Sequence, residues 1–301
     1  VSANRLERVP SWLTELPRLA WLALAGNALG WTVAEDFAQE MPLPEVPWTS
    51  LTLGKLLGEG ASGHIHRVQA AGWPQPLALK LFKGAVTSDG LPQDELAACL
   101  AAGQHPTLTT PVARLSQHPA QAQGLLMPLI PAAHINLAGP PSLQSCTRDV
   151  YPSGFRLSTD LALGIACDVA DALAHLHQRG VMHGDLYAHN ILIDPVHGQA
   201  RLGDFGAATR LPAQPSDVGR GLLALEVRAL GCLLEELGAA ASSGTADTPP
   251  VANQQSHAQA TDPAVQALLR LATACLSERP PERPGVAEVA QALQALKPGR
   301  S

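Results

Sequence analysis

The apolar positions of this chain change period along its length. Leu161, Ile165, Val169, Leu173 and Leu176 recur every three or four residues, the spacing of one helix face. Ser158 is placed to cap the start of that helix and Gly180 to end it. The same spacing at 225–237 and 285–296 predicts two further helices. Residues 92–102 predict another, closed by Gly103. The first half reads differently. Residues 51–57, 64–70, 76–82, 111–116 and 124–130 are short apolar or alternating runs bounded by turn residues, and predict five strands. A further strand is expected at 191–193. The expected class is α+β in two lobes: a small, mostly antiparallel β lobe with one helix at 49–134, and a larger helical lobe at 135–301.

The ends of the β lobe carry other patterns. Asn4-x-Leu6 recurs as Asn27-x-Leu29, and between them runs Leu19-x-x-Leu22-x-Leu24-x-x-Asn27-x-Leu29. This matches the leucine-rich-repeat template, with leucines pointing inward from a short strand and asparagine satisfying backbone groups in the turn. An amphipathic helix is the other reading. So little repeat cannot bury its own faces, so either more repeats precede Val1 or residues 1–31 pack on the rest of the chain. Pro42, Pro44 and Pro47 mark 32–48 as a semi-rigid linker. Residues 238–263, rich in Ala, Ser, Thr, Gln and Pro, read as a flexible insertion in the helical lobe.

Composition narrows the function classes. Of 301 residues, 46% are hydrophobic and 15% charged, which is globular and excludes wholesale disorder. The net charge of −6 offers no basic stripe for nucleic acid. No apolar run reaches the roughly 18 residues of a membrane span, and no signal peptide is visible behind Val1. Cys99, Cys146, Cys167, Cys232 and Cys275 have no CxxC spacing, which argues against zinc and against a disulfide framework and fits a reducing, cytoplasmic setting. Only Lys55, Lys80, Lys83 and Lys297 are lysines, so a lysine inside a motif stands out.

Four constellations carry chemistry. Gly58-Glu59-Gly60-Ala61-Ser62-Gly63 lets backbone approach phosphates closely. It continues through Ile65 and Val68 as a strand, which favours strand–loop–strand over a dinucleotide-binding turn. Leu77-Ala78-Leu79-Lys80 sets a lysine among apolar residues, where its charge needs a partner. A phosphate and Glu95 on the next helix would supply it; a snorkelling edge lysine is the alternative. His183-Gly184-Asp185-Leu186-Tyr187-Ala188-His189-Asn190 puts an aspartate and an asparagine five apart on one loop, able to divide proton acceptance and metal ligation. Asp204-Phe205-Gly206 adds a second carboxylate for the same metal.

Together, in this order and spacing, these motifs resemble the protein-kinase signature set over about residues 49–297. The resemblance implies a two-lobed kinase fold that transfers the γ-phosphoryl group of ATP, with Mg²⁺, to a protein hydroxyl. It implies that Gly58, Gly60 and Gly63 cover the phosphates, that Lys80 holds the α/β-phosphates and pairs with Glu95, and that Asp185 is the catalytic base. Asn190 and Asp204 would hold Mg²⁺. Ile65, Ala78 and Leu192 would sandwich the adenine, with Met127 at the gatekeeper and Ile130 at the hinge. There Pro128 keeps its carbonyl and Ile130 its N–H for the adenine edge. Asp94 is the fallback for Glu95, whose spacing to His105-Pro106 is about one residue longer than the family's. Glu226 sits where the family has a helix-starting aspartate, and Arg283-Pro284 looks like the family's late arginine motif. The leading segment looks like bacterial leucine-rich-repeat kinases, which implies a protein ligand for the repeats.

The chain departs from the pattern in three places. His-Gly-Asp replaces His-Arg-Asp, so Gly184 cannot sense a phosphorylated activation loop, although Thr209 and Ser216 offer hydroxyls there. No Ala-Pro-Glu follows Asp204-Phe205-Gly206, which leaves Arg283 without its usual glutamate and puts peptide docking in question. Tyr187 stands where serine/threonine kinases carry a lysine, and His189 where tyrosine kinases often carry an arginine; serine/threonine is favoured as the commoner class. Two other functions share much of the pattern: a small-molecule phosphotransferase of the aminoglycoside or choline kinase type, and a non-catalytic scaffold. His175 and His177 are expected on a solvated helix surface, and Trp12, Trp21 and Trp31 as packing residues.

Overall fold

The computed structural model describes residues 1–29, 43–60, 63–83, 92–142, 144–145, 148–212, 215–242 and 262–297. Among these, six strands form one sheet: β1 (Glu45–Pro47), β2 (Leu51–Glu59), β3 (Gly63–Ala70), β4 (Leu77–Phe82), β5 (Ala113–Ser116) and β6 (Gly124–Pro128), in the order β1-β5-β6-β4-β3-β2. Every pair is antiparallel except β1 with β5. Strand β1 lies inside the stretch expected to be a linker, because Val46 is buried beside Leu115 and Leu126 in the small-lobe core. Of that stretch, 30–42 lie outside the described residues. The central strand β4 is the most buried, and Lys80 rides on it. The helix α2 (Pro92–Ala102) follows β4 and ends at Gly103, whose φ of +66° is the left-handed conformation a helix stop uses.

In the large lobe, α3 (Thr159–Gln178) forms where the apolar period is strongest. Ser158 Oγ accepts from the Leu161 N–H at 3.3 Å, and Leu163, Ile165, Val169, Leu173 and Leu176 are buried. Short strands surround it: β7 (Ile135–Asn136), β9 (Ile191–Ile193) and β10 (Ala200–Leu202) make one small sheet, while β8 (Val181–Met182) pairs with β11 (Thr209–Arg210). The loop between β8 and β9 carries Asp185 and Asn190, so two rigid ribbons fix its ends. The helix α4 (Asp217–Ser242) starts earlier and runs longer than its expected span of 225–237. It takes in 238–242 of the expected insertion, because Ala240 and Ala241 continue its buried face. Residues 243–261 of that insertion lie outside the described residues, and α5 (Pro263–Cys275) begins immediately after Asp262, its N-cap. The helix α6 (Val286–Leu296) packs on α3.

The leading segment 1–29 folds onto the large lobe. It has one short helix, α1 (Ser11–Thr14), and among its described residues the expected short strand is absent. Asparagine does the expected work: Asn27 Oδ1 accepts from the Asn4 and Leu6 N–H groups, each at 3.0 Å, and Nδ2 donates to Leu24 O at 2.8 Å. The leucines point inward, but onto a neighbouring domain. Val9, Leu22, Leu24 and Leu29 share a core with Met182, Leu222 and Leu225. Trp12 is exposed, and Trp31 lies outside the described residues.

Candidate active site

The glycine-rich turn joins β2 to β3, and the Gly60 N–H donates to Gly63 O at 3.0 Å. A Cβ on Gly63 would meet Leu81 O at 2.5 Å, so that glycine is required by the strand pairing itself. At Gly58 and Gly60 a Cβ would meet nothing within 4 Å. These two leave open space beside the turn, the kind of room a phosphate chain needs. Ala61 and Ser62 lie outside the described residues.

Lys80 Nζ lies 2.6 Å from Glu95 Oε1 on α2 and 3.8 Å from Asp204 Oδ1. Burial works against the ammonium, but Glu95 and Asp204 outweigh it and hold Lys80 above its ordinary value. Of the two candidate carboxylates, it is Glu95 that sits against Lys80. Asp94 faces the leading segment, where a Cβ on Gly26 would lie 3.3 Å from its Oδ2. Ile65 pairs with Lys80 across β3–β4, and Ala78 with Met127 across β4–β6. Met127 and Ile130 are half-buried at the lobe junction, and Leu192 is half-buried on β9.

The catalytic-loop candidates are tightly tied. Asn190 Nδ2 donates to Asp185 O at 3.0 Å and to Asp185 Oδ2 at 2.9 Å, leaving the Asn190 Oδ1 for a cation. Burial raises the Asp185 carboxyl above the ordinary aspartate value, against the pull of His183 and Asn190. His183 is fully buried, bonded through Nε2 to Gly203 O at 2.9 Å and set against Phe205, so it is a structural residue. Asp204 is half-exposed and holds a φ of +57°, an unusual conformation for a residue with a side chain. Backbone strain of this kind concentrates at functional sites. Among the described residues no group of three or more His, Cys, Asp or Glu is placed to hold a metal alone. One carboxylate plus one amide oxygen, beside room for phosphates, fits Mg²⁺, which keeps several waters and is shared with substrate phosphates.

Gly184 is explained by geometry. Its φ is +79°, and a Cβ would meet Ala207 O at 2.8 Å. An arginine there would be strained. Glu226 takes hold of the same turn: its Oε1 accepts from the Gly184 N–H at 2.8 Å and its Oε2 from the His183 N–H at 3.1 Å. It does so from within α4, nine residues after Asp217, where a helix start was expected. Full burial opposes its charge, but His177, His183 and the Gly184 N–H more than compensate and hold its carboxyl below the ordinary value. His177 Nε2 bonds Glu226 Oε2 at 2.7 Å and His175 Nε2 bonds Ala102 O at 2.7 Å. Neither histidine is the solvated surface residue expected, because α3 is surrounded on more faces than its leucine stripe implies. The stretch from Asp204 to α4 is short, because α4 already begins at Asp217. Thr209 in it is buried, and the Ser216 Oγ accepts from the Gly219 N–H at 3.0 Å.

Two site residues escaped the sequence reading. Asp149, buried, accepts from the Ala188 N–H at 3.0 Å, the His189 N–H at 3.1 Å and His189 Nδ1 at 2.7 Å, pinning the loop. Trp21 stacks on Tyr187 with ring centroids 4.5 Å apart and planes 10° off parallel, and its Nε1–H donates to Leu186 O at 2.7 Å. Tyr187 in turn stacks on His189 at 5.2 Å. No local pattern marks Asp149. The density of tryptophan before residue 32 is the one available hint for Trp21.

Comparison with known proteins gives a family match and several relatives. The family model described as the protein kinase domain matches residues 51–227. The chain is 31% identical over 175 residues to the DNA damage-responsive serine/threonine-protein kinase RqkA of Deinococcus radiodurans, covering 54% of this chain and 24% of that protein. It is 46% identical over 55 residues to the serine/threonine-protein kinase mos of Gallus gallus, covering 18% of this chain and 16% of that one. It is also 46% identical over 50 residues to the serine/threonine-protein kinase PrkC of Bacillus subtilis, covering 17% and 8%. The chain thus spans at most about a quarter of the length of each of these relatives.

Proposed function

This chain belongs to the protein kinase domain family, and from that premise we propose that it transfers the γ-phosphoryl group of ATP to a protein hydroxyl, serine or threonine by preference. The observation that carries the proposal is that Lys80 pairs with Glu95 and lies 3.8 Å from Asp204, while Asp185, bonded to Asn190, feels the charge of that same Asp204. Gly58, Gly60 and Gly63 would cover the phosphates, and Lys80, held by Glu95, would bind the α/β-phosphates. Ile65, Ala78, Leu192, Met127 and Ile130 would enclose the adenine. Asn190 and Asp204 would hold Mg²⁺, which when bound neutralises charge on the transferring phosphoryl group. Asp185, raised by burial and steadied by Asn190, orients the acceptor hydroxyl and takes its proton. The serine/threonine preference rests on the relatives' names. So does a bacterial setting, which two of them suggest.

Activity in this reading does not depend on a phosphorylated activation loop. Gly184 has no side chain to sense one, and the Thr209 hydroxyl is buried. Phosphatase treatment is expected to leave specific activity unchanged; a large loss would show dependence. Segment 1–29 derives in this reading from a leucine-rich repeat, on the strength of its Asn27 bonds and inward leucines. Repeats of this kind would take a protein ligand. The buried thiols of Cys99, Cys167, Cys232 and Cys275 suit a cytoplasmic location. No helix among the described residues is long and apolar enough to cross a membrane.

The test is radiolabelled transfer from ATP in the presence of Mg²⁺ to a generic protein substrate and to an aminoglycoside panel. Label on protein, recovered as phosphoserine or phosphothreonine, is the expected result. Label on the small molecules alone would move the chain to the antibiotic-kinase type, and ATP binding without transfer would make it a scaffold.

A further inference from the structure

The missing Ala-Pro-Glu triplet leaves a gap that another part of the chain fills. Arg283, expected to lack its glutamate, is held at all three nitrogens by backbone carbonyls: Nε donates to Ser277 O at 3.0 Å, Nη1 to Ala224 O at 2.9 Å and Nη2 to Pro17 O at 2.9 Å. Pro17 belongs to the leading segment. A few residues on, the same segment meets the catalytic loop, with Trp21 stacked on Tyr187 and bonded to Leu186 O. A Cβ on Gly184 would lie 3.3 Å from Leu22 O, so that backbone runs against the turn before Asp185. Farther along still, Gly26 lies against Asp94, next to the Glu95 that holds Lys80. Residues 17–26 therefore touch the late arginine, the catalytic loop and the helix of the small lobe in succession. The loop is bracketed: Asp149 and Glu226 hold its backbone from inside the large lobe, while Trp21 closes the ring stack from outside.

We infer that segment 1–29 is an intramolecular brace that replaces the activation segment as support for the catalytic loop, with Trp21 as its positioning residue. This rests on the kinase reading. A stacked indole bonded to Leu186 O fixes the Leu186–Tyr187 peptide, one residue beyond Asp185, and so the placement of the base against the acceptor hydroxyl. Misplacing a reacting group by about 1 Å can cost roughly a hundredfold in rate. Trp21, which meets the active site at the catalytic loop, therefore acts on turnover and leaves nucleotide affinity alone.

The test uses the full chain with Trp21→Phe, Trp21→Leu and Trp21→Ala. Turnover, KM for ATP, melting temperature and amide exchange at 185–190 are measured for each. Trp21→Leu and Trp21→Ala are expected to lower kcat by about tenfold or more at an unchanged KM for ATP, and to speed exchange at 185–190. Trp21→Phe, which keeps the stack, is expected to retain most of the turnover. Trp21→Leu keeps apolar bulk, so it decides the matter if Trp21→Ala fails to fold. Equal turnover and exchange in Trp21→Leu and Trp21→Phe would overturn the brace, and a rise in kcat would make the segment a lid instead. If the unmodified chain transfers no phosphate the kinase reading fails by itself, and the exchange rates still decide whether Trp21 holds the loop.

Discussion

At the scale of single residues, the site depends on charges kept where water is scarce. Lys80 and Glu95 are each about nine-tenths buried, and neither would be stable there without the other. Removing one partner, as in Glu95→Ala, is expected to destabilise the protein by about 3–5 kcal/mol. Denaturant melts would read this loss, and a change below about 1 kcal/mol would mean that water already reaches the pair. Glu226 gives a sharper signature because its carboxyl is depressed below the ordinary 4.5. A group depressed on folding stabilises fully above its unfolded value and loses that contribution as pH falls through its folded value. The melting-temperature gap between the native chain and Glu226→Gln is therefore expected to be widest above pH 4.5 and to close on acidification. A gap that is flat with pH would refute the charge as the cause. Gly184→Arg, the change that would restore the common motif, is expected to cost about 1–3 kcal/mol through its positive φ.

At the scale of elements, legibility followed locality. The helix α3 was readable because its apolar stripe, its serine cap and its closing glycine agree within 23 residues. Leu173→Ala in its buried face is expected to cost about 2–5 kcal/mol, seen as a lower melting temperature at unchanged KM for ATP. The strands flanking the glycine turn were readable for the same reason. The strand β1 was not, because three residues containing a proline carry no period, and its partner β5 begins 68 residues after it starts. The placement of Lys80 with Glu95 follows from a strand and the next helix, so the sequence reached it. Asp149 and Trp21 reach the catalytic loop from 40 and 165 residues away, and nothing near either one announces that contact. Glu226 was expected at a helix start but sits inside a long helix, since the pattern before residue 225 is diluted by Gly219, Arg220 and Gly221.

At the scale of the whole molecule, the leading segment and the large lobe behave as one folding unit. Leu24 is fully buried, and Val9, Leu22 and Leu29 join it in a core shared with Met182, Leu222 and Leu225. Leu24→Ala is therefore expected to lower the melting temperature of the large lobe itself in calorimetry. A separate low-temperature transition for the segment would contradict a shared core. The exposed Arg18–Glu278 pair adds little to this union. In the proposed reading, five site residues on four separated elements form the active site, and Asp185 is the group whose loss would isolate chemistry from binding. The most direct measurement compares the native chain with Asp185→Asn, reading phosphate transfer and Mg-ATP affinity on the same preparations. Transfer is expected to fall by about 10²-fold or more, while affinity stays within about threefold. Transfer that survives the substitution would contradict the assignment of the base, and with it the catalytic reading of the cleft.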